Sequence, residues 1–153
     1  MSSIIFYSTK KGFGKKVSGY IASESADIVE IIDQKDYDTE NYNNVIFVSS
    51  VYAGQMKKGF KDFFNKVAEN KKENQKFYFV MVAGQEENYK KFFNDNLPDK
   101  EKYIDDFFYA GYSYDFEKMN FFEKFIIKKI VKIDKSKEDF RKENLDSLVK
   151  KIG

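Results

Sequence analysis

Cysteine and histidine are both absent from this chain of 153 residues, and the two gaps together remove most common site chemistries. Without thiols there are no disulfides, iron–sulfur clusters or thiolate zinc sites. Without imidazole there is no Ser-His or Cys-His nucleophile, and the commonest metal ligand is missing. Chemistry is left to carboxylates, Lys, Tyr or a bound cofactor, which carries its own reactivity. No catalytic side chain and no metal ligand stands out. Tryptophan is missing too and proline occurs once; with abundant Lys, Asn, Ile and Phe, this reads as compositional drift. A formal net charge of +2 is too small to argue for nucleic acid, and no apolar run approaches the roughly 20 residues of a membrane span. The chain opens without a basic leader, so a cytoplasmic location is expected. Its length suits one domain over residues 1–153.

What is present begins with an organising stretch at residues 3–17. A short apolar run breaks into Ser8, Thr9, Lys10, Lys11, Gly12, Phe13 and Gly14, and a pattern of helical spacing starts at once, with Phe13, Val17, Tyr20 and Ile21 on one face to about Ser23. Strand, tight turn and helix N-terminus follow one another. Backbone N–H groups at such a turn lack partners within the helix and carry the positive end of its dipole, which suits a phosphate. The same arrangement also occurs with no ligand at all.

Further on, residues 27–32 read as a second strand and 33–44 as a polar surface connection. Val45, Ile46, Phe47 and Val48 form a continuous β-branched and aromatic run, the pattern of a strand covered on both faces, which ends in a loop at residues 49–54. Met56, Phe60, Phe63, Phe64 and Val67 mark a helix. Residues 77–82 are the fourth strand, broken at Ala83 and Gly84; Tyr89, Phe92 and Phe93 share a helix face that Pro98 closes. Residues 103–110 supply a fifth strand, half polar through Asp105 and Asp106 and so expected at a sheet edge. Leu145, Leu148, Val149 and Ile152 give a closing helix. The alternation implies an α/β fold with a parallel sheet and helices on both faces. In such sheets ligands gather at the carboxyl edge of the strands, where the loops after strands one, three and four would open.

With those loops in place, the chain resembles the flavodoxin family, and most closely the flavodoxin-like branch that includes menaquinone-dependent protoporphyrinogen dehydrogenase. The resemblance rests on residues 5–13, on Ser50, Val51, Tyr52, Ala53 and Gly54, on Ala110, Gly111 and Tyr112, and on residues 120–124. It implies a doubly wound, five-stranded parallel sheet of strand order 2-1-3-4-5. It also implies flavin mononucleotide (FMN), its phosphate held by the loop Ser8 to Gly14. The isoalloxazine ring would lie between Ser50, Val51, Tyr52, Ala53 and Gly54 on one side and Ala83, Gly84 and Gln85 on the other. In the first loop Lys11 and Gly14 stand where the family commonly has further threonines; a lysine can offset lost hydroxyl donors through a charge-assisted bond. Tyr52 is placed either to stack on the ring or to cover the helix near Met56.

A segment from Phe116 to Ile133 goes beyond a minimal flavodoxin. Phe121, Phe122, Phe125, Ile126, Ile130 and Ile133 spread over an apolar arc, while Lys124, Lys128 and Lys132 form a stripe. This is a core helix with its lysines outward, or a helix from Phe121 to Ile133 lying in a membrane interface at the inner face of the membrane, or part of a site for a large apolar substrate. Two redox functions follow from the resemblance: an FMN-dependent electron-transfer protein serving redox partner proteins, or an oxidoreductase acting on protoporphyrinogen IX with a quinone as acceptor. A third reading is a flavodoxin-like interaction module that has lost its flavin.

Overall fold

The computed structural model describes residues 2–22, 26–30, 37–131 and 135–153. The apolar runs become the central strands of one sheet: β1 (Ser3–Tyr7), β2 (Asp27–Glu30), β3 (Asn44–Ser50), β4 (Lys76–Val82), β5 (Asp106–Tyr114) and β6 (Lys137–Phe140). Their order is β2-β1-β3-β4-β5-β6. Every pair is parallel except the last, in which Gly111 opposes Phe140 and Tyr114 opposes Lys137 in antiparallel register. The flavodoxin-like order 2-1-3-4-5 is therefore present, with a sixth strand added at its end.

Alternation along the strands separates two cores. Ile4, Phe6, Val45, Phe47, Phe77 and Phe79 face α2 (Lys58–Glu69) and α3 (Tyr89–Asn96), whereas Ile5, Tyr7, Ile46, Val48 and Val80 face α1 (Phe13–Ala22) and α5 (Lys142–Ile152). The first core is built from interlocked rings: Phe47 meets Phe64 edge-on at 4.7 Å between centroids, and Phe79 meets Phe93 at 4.8 Å. Such pairs add about 0.5–1.5 kcal/mol beyond the area they bury. Both faces of β1 and β3 are dry, which is why their sequences are continuous rather than alternating.

Two features differ from expectation. β5 is longer and is not an edge: its acidic residues sit at its start, where Asp105 accepts from Lys71 Nζ at 2.7 Å and from the Phe77 N–H at 2.8 Å, and Asp106 accepts from Lys151 at 2.8 Å. Beyond them the strand is mostly buried, and β6 covers its far side. β6 itself reads Lys-Glu-Asp-Phe and is largely exposed, so no apolar pattern announces it.

The segment after β5 joins neither of the two main cores. A 3₁₀ turn (Phe116–Lys118), α4 (Phe121–Ile126) and a π-helical turn (Ile127–Val131) lie past the carboxyl edge. There Ile127 is enclosed with Tyr112, Tyr114, Phe116 and Met119 in a small third cluster. Phe121, Phe122 and Phe125 are 87%, 67% and 52% exposed, which overturns the core-helix reading. The expected reach of the first helix to Ser23, of the second strand to Ile32 and of the late helix to Ile133 falls outside the described residues.

Candidate functional site

Turns leaving β1, β3 and β4 meet at adjoining clefts of about 420 and 480 Å³ that share the walls formed by Val51, Ala83 and Tyr114.

The first turn is rigidly built. Ser8 is 1% exposed, and its N–H donates to Val48 O at 2.9 Å, prolonging the parallel ladder. Its Oγ is enclosed and has no hydrogen-bond partner. Thr9 Oγ1 accepts from the Gly14 N–H at 3.0 Å, satisfying one donor at the start of α1, while Lys57 Nζ donates to Thr9 O at 2.6 Å and ties the second loop to the first. Lys11 and Gly12 hold φ of 62° and 92°. Among the described residues the N–H groups of Lys10, Lys11, Gly12 and Phe13 meet no acceptor. Gly14 is closed to any side chain: a Cβ would stand 2.5 Å from Ser8 O and 3.1 Å from Thr9 Cβ. Threonine is excluded here by contact with the loop itself.

In the second turn, Tyr52 and Gln55 exchange both backbone hydrogen bonds at 3.0 Å across Ala53 and Gly54, whose φ values are 52° and 77°. Positive φ at both central residues is the type I′ pattern. Tyr52 is thereby lifted into the first cleft instead of lying over α2. The third turn is held by the Tyr109 hydroxyl, which donates to Ala83 O at 2.6 Å.

Of the residues singled out from sequence, Lys10, Lys11, Phe13, Ser50, Val51, Tyr52 and Ala83 line the first cleft. Ala53, Gly54, Gly84 and Gln85 line the second, with Val51 and Ala83 again. Ser8, Thr9, Gly12 and Gly14 line neither and form the frame behind Lys10 and Lys11. Sequence reasoning missed Val82, Tyr112, Ser113, Tyr114, Met119 and Glu123 in the first cleft and Phe92, with Tyr114 again, in the second. The signal for Tyr112, Ser113 and Tyr114 was Gly111. Its φ of 95° and the 1.8 Å that would separate an added Cβ from Asp139 O make it a bulge inside β5 that carries the strand on, not a stop.

The charges in the first cleft are arranged across it. Glu123 of α4, 14% exposed in its side chain, faces Lys11 Nζ at 3.5 Å and Lys10 Nζ at 3.8 Å. The Lys10 ammonium also stands 3.5 Å from the centre of the Tyr52 ring. Burial, then the Glu123 charge, raises the Tyr52 phenol above its ordinary value. Burial, with Tyr112 and Tyr52 beside it, pushes Tyr114 up to about 12. The Tyr52 hydroxyl donates to Glu123 O at 3.4 Å. Among the described residues no group of acids could hold a metal ion.

Residues 4–141 match the family described as the flavodoxin domain. No curated protein matches the chain significantly. Among solved structures, the chain is similar to a short-chain flavodoxin associated with a PDU bacterial microcompartment, at 14% identity and TM-score 0.58 over 99% of this chain and 96% of that one. It is similar also to the flavodoxin of Streptococcus pneumoniae TIGR4, at 10% identity and TM-score 0.52 over 97% and 99%. A third is a mutant Fusobacterium nucleatum flavodoxin bound to flavin mononucleotide, at 16% identity and TM-score 0.50 over 69% of this chain and 66% of that one, about two thirds of its length.

Proposed function

The chain belongs to the flavodoxin domain family, and we propose that residues 1–153 act as a single flavodoxin-like domain that binds FMN in the double cleft and passes electrons between redox partner proteins. The observation that carries this reading is the first turn. A buried Ser8 hydroxyl without a partner, backbone N–H groups without acceptors and two lysines gather at the start of α1. All are donors or cations, the set that an anionic phosphate satisfies. Apolar and aromatic walls from Val51, Tyr52 and Tyr114 suit a flat ring. The Fusobacterium nucleatum neighbour is bound to the same nucleotide.

Bound FMN would supply the electron-carrying chemistry. The chain's part is to hold it: Ser8 and the first-loop N–H groups toward the phosphate, Tyr52 toward a ring face, and the backbone at Gly54 and Gly84 toward its edge. Titrating the purified protein with FMN tests this directly. The expected result is one-to-one quenching of flavin fluorescence with a perturbed visible spectrum; free flavin remaining unquenched at excess protein overturns it.

The exposed Phe121, Phe122 and Phe125 beside Lys124, Lys128 and Lys129 favour a second reading. In it, the protein is a protoporphyrinogen dehydrogenase-like enzyme that uses FMN, passes electrons to a quinone and docks by α4 at the inner face of the membrane. Among the described residues no helix is long and apolar enough to cross a membrane. Anaerobic turnover of protoporphyrinogen IX with a menaquinone analogue, together with flotation on anionic vesicles, supports this second role; no turnover and no flotation leaves the electron carrier.

A further inference from the structure

We propose that Glu123 is a resident counter-anion of the first loop, a specificity-determining residue that holds α4 across the cleft until a phosphate displaces it from Lys10 and Lys11. The inference rests on the FMN reading and deepens it.

Asn120 caps α4, its Oδ1 accepting from the Glu123 N–H at 2.8 Å. An acid at this third helical position ordinarily turns back to the capping residue's own N–H. Glu123 instead reaches over the first loop to the two lysines. Its Oε2 is enclosed and accepts no hydrogen bond, with Lys10 Nζ 3.8 Å from it as a charge partner, while Lys11 Nζ stands 3.5 Å from Oε1. A carboxylate shielded from water and short of hydrogen bonds is costly to keep, while lysines 36% and 38% exposed return only a screened attraction. The latch is therefore closed but weak. It also places the Lys10 ammonium on the Tyr52 ring, and Met119 with Glu123 forms one wall of the cleft.

A phosphate monoester carries about −1.5 to −2 charge and three acceptor oxygens, so it outcompetes one carboxylate for the same pair of lysines. Riboflavin has the ring without that charge and gains nothing from them. Glu123 thus competes with the phosphate alone, holding FMN affinity down while leaving riboflavin binding untouched, and its displacement frees α4 from the first loop.

The test compares FMN and riboflavin binding, by fluorescence quenching, in wild type, E123Q, K11Q and the E123Q/K11Q double variant. In E123Q the preference for FMN over riboflavin is expected to rise roughly fivefold or more, and K11Q is expected to erase most of that gain. An unchanged or reduced preference overturns the proposal. A second readout needs no flavin: trypsin should cut at Lys124, Lys128 and Lys129 slowly in apo wild type and faster in apo E123Q. Excess inorganic phosphate should speed the cut in wild type where chloride of equal ionic strength does not. Equal cleavage of the two apo proteins, or protection by phosphate, overturns the latch. A cleavage difference with no FMN binding strikes the proposed function alone.

Discussion

Helices α2 and α4 carry nearly the same aromatic load and put it to opposite use. Phe60, Phe63 and Phe64 of α2 have no exposed surface, whereas Phe121, Phe122 and Phe125 of α4 stand largely in water. What separates them is the surface beneath. α2 lies on a sheet face already paved with Phe47, Phe77 and Phe79, so each ring finds an edge-on neighbour. α4 begins after the sheet has ended and has only a small cluster around Ile127 to rest on. Amphipathic spacing tells that a helix has an apolar face; whether anything covers that face depends on where the chain has already put its strands.

The contrast can be broken most sharply by truncation. Phe63→Ala is expected to cost about 3–5 kcal/mol in urea unfolding, the usual range for a ring removed from a close-packed core, while Phe122→Ala should shift the same curve by less than about 0.5 kcal/mol. Equal losses would mean that α4 is as much a part of the core as α2. Next in size is Gly14→Ala, which drives a methyl into Ser8 O; roughly 1–3 kcal/mol of stability should go, and FMN binding should fall with it, because the loop that must move is the one carrying the unpaired donors. Tyr52→Ala should leave stability nearly untouched and weaken FMN binding by about 0.5–1.5 kcal/mol, the excess expected of an aromatic contact, read as a roughly 2–12-fold rise in Kd. The smallest effect belongs to Asp105, at the opposite end of the sheet. Burial raises its carboxyl, but the Lys71 hydrogen bond, the Phe77 N–H and the charges of Lys71 and Lys76 outweigh this and hold it below its ordinary value. With the folded value lowered, its contribution is full above about pH 4 and drains as the pH falls through the folded value. Asp105→Asn should flatten that acid-side slope in pH-dependent melts and leave the region above neutral pH unchanged in shape.

Much of the architecture was legible because burial on both sides leaves an uninterrupted apolar run: Val45 to Val48 and residues 77–82 could hardly be anything but central strands. The turns were legible for a related reason, since each interrupts such a run with small residues at the carboxyl edge. β6 was not, because a short strand of Lys137, Glu138 and Asp139 with one paired side has no periodic apolar residues to betray it. Nor was the wall formed by Tyr112, Ser113 and Tyr114. Gly111 reads locally as an end to the strand, and only the approach of Asp139 from β6, distant in sequence, reveals it as a kink within one. Glu123 was hidden in the same way: its partners Lys10 and Lys11 lie at the other end of the chain, and no local spacing links them.

That sixth strand has one more effect. A row of free peptide groups along the border of a sheet is a template on which other chains can polymerise. Here the border is four residues long, runs against the direction of the rest, and carries one lysine and two acids; the opposite border, β2, begins with an aspartate. The molecule is thereby fenced on both flanks, and can display an unusually sticky trio of rings at one end without offering strangers a seam along which to stack into fibres.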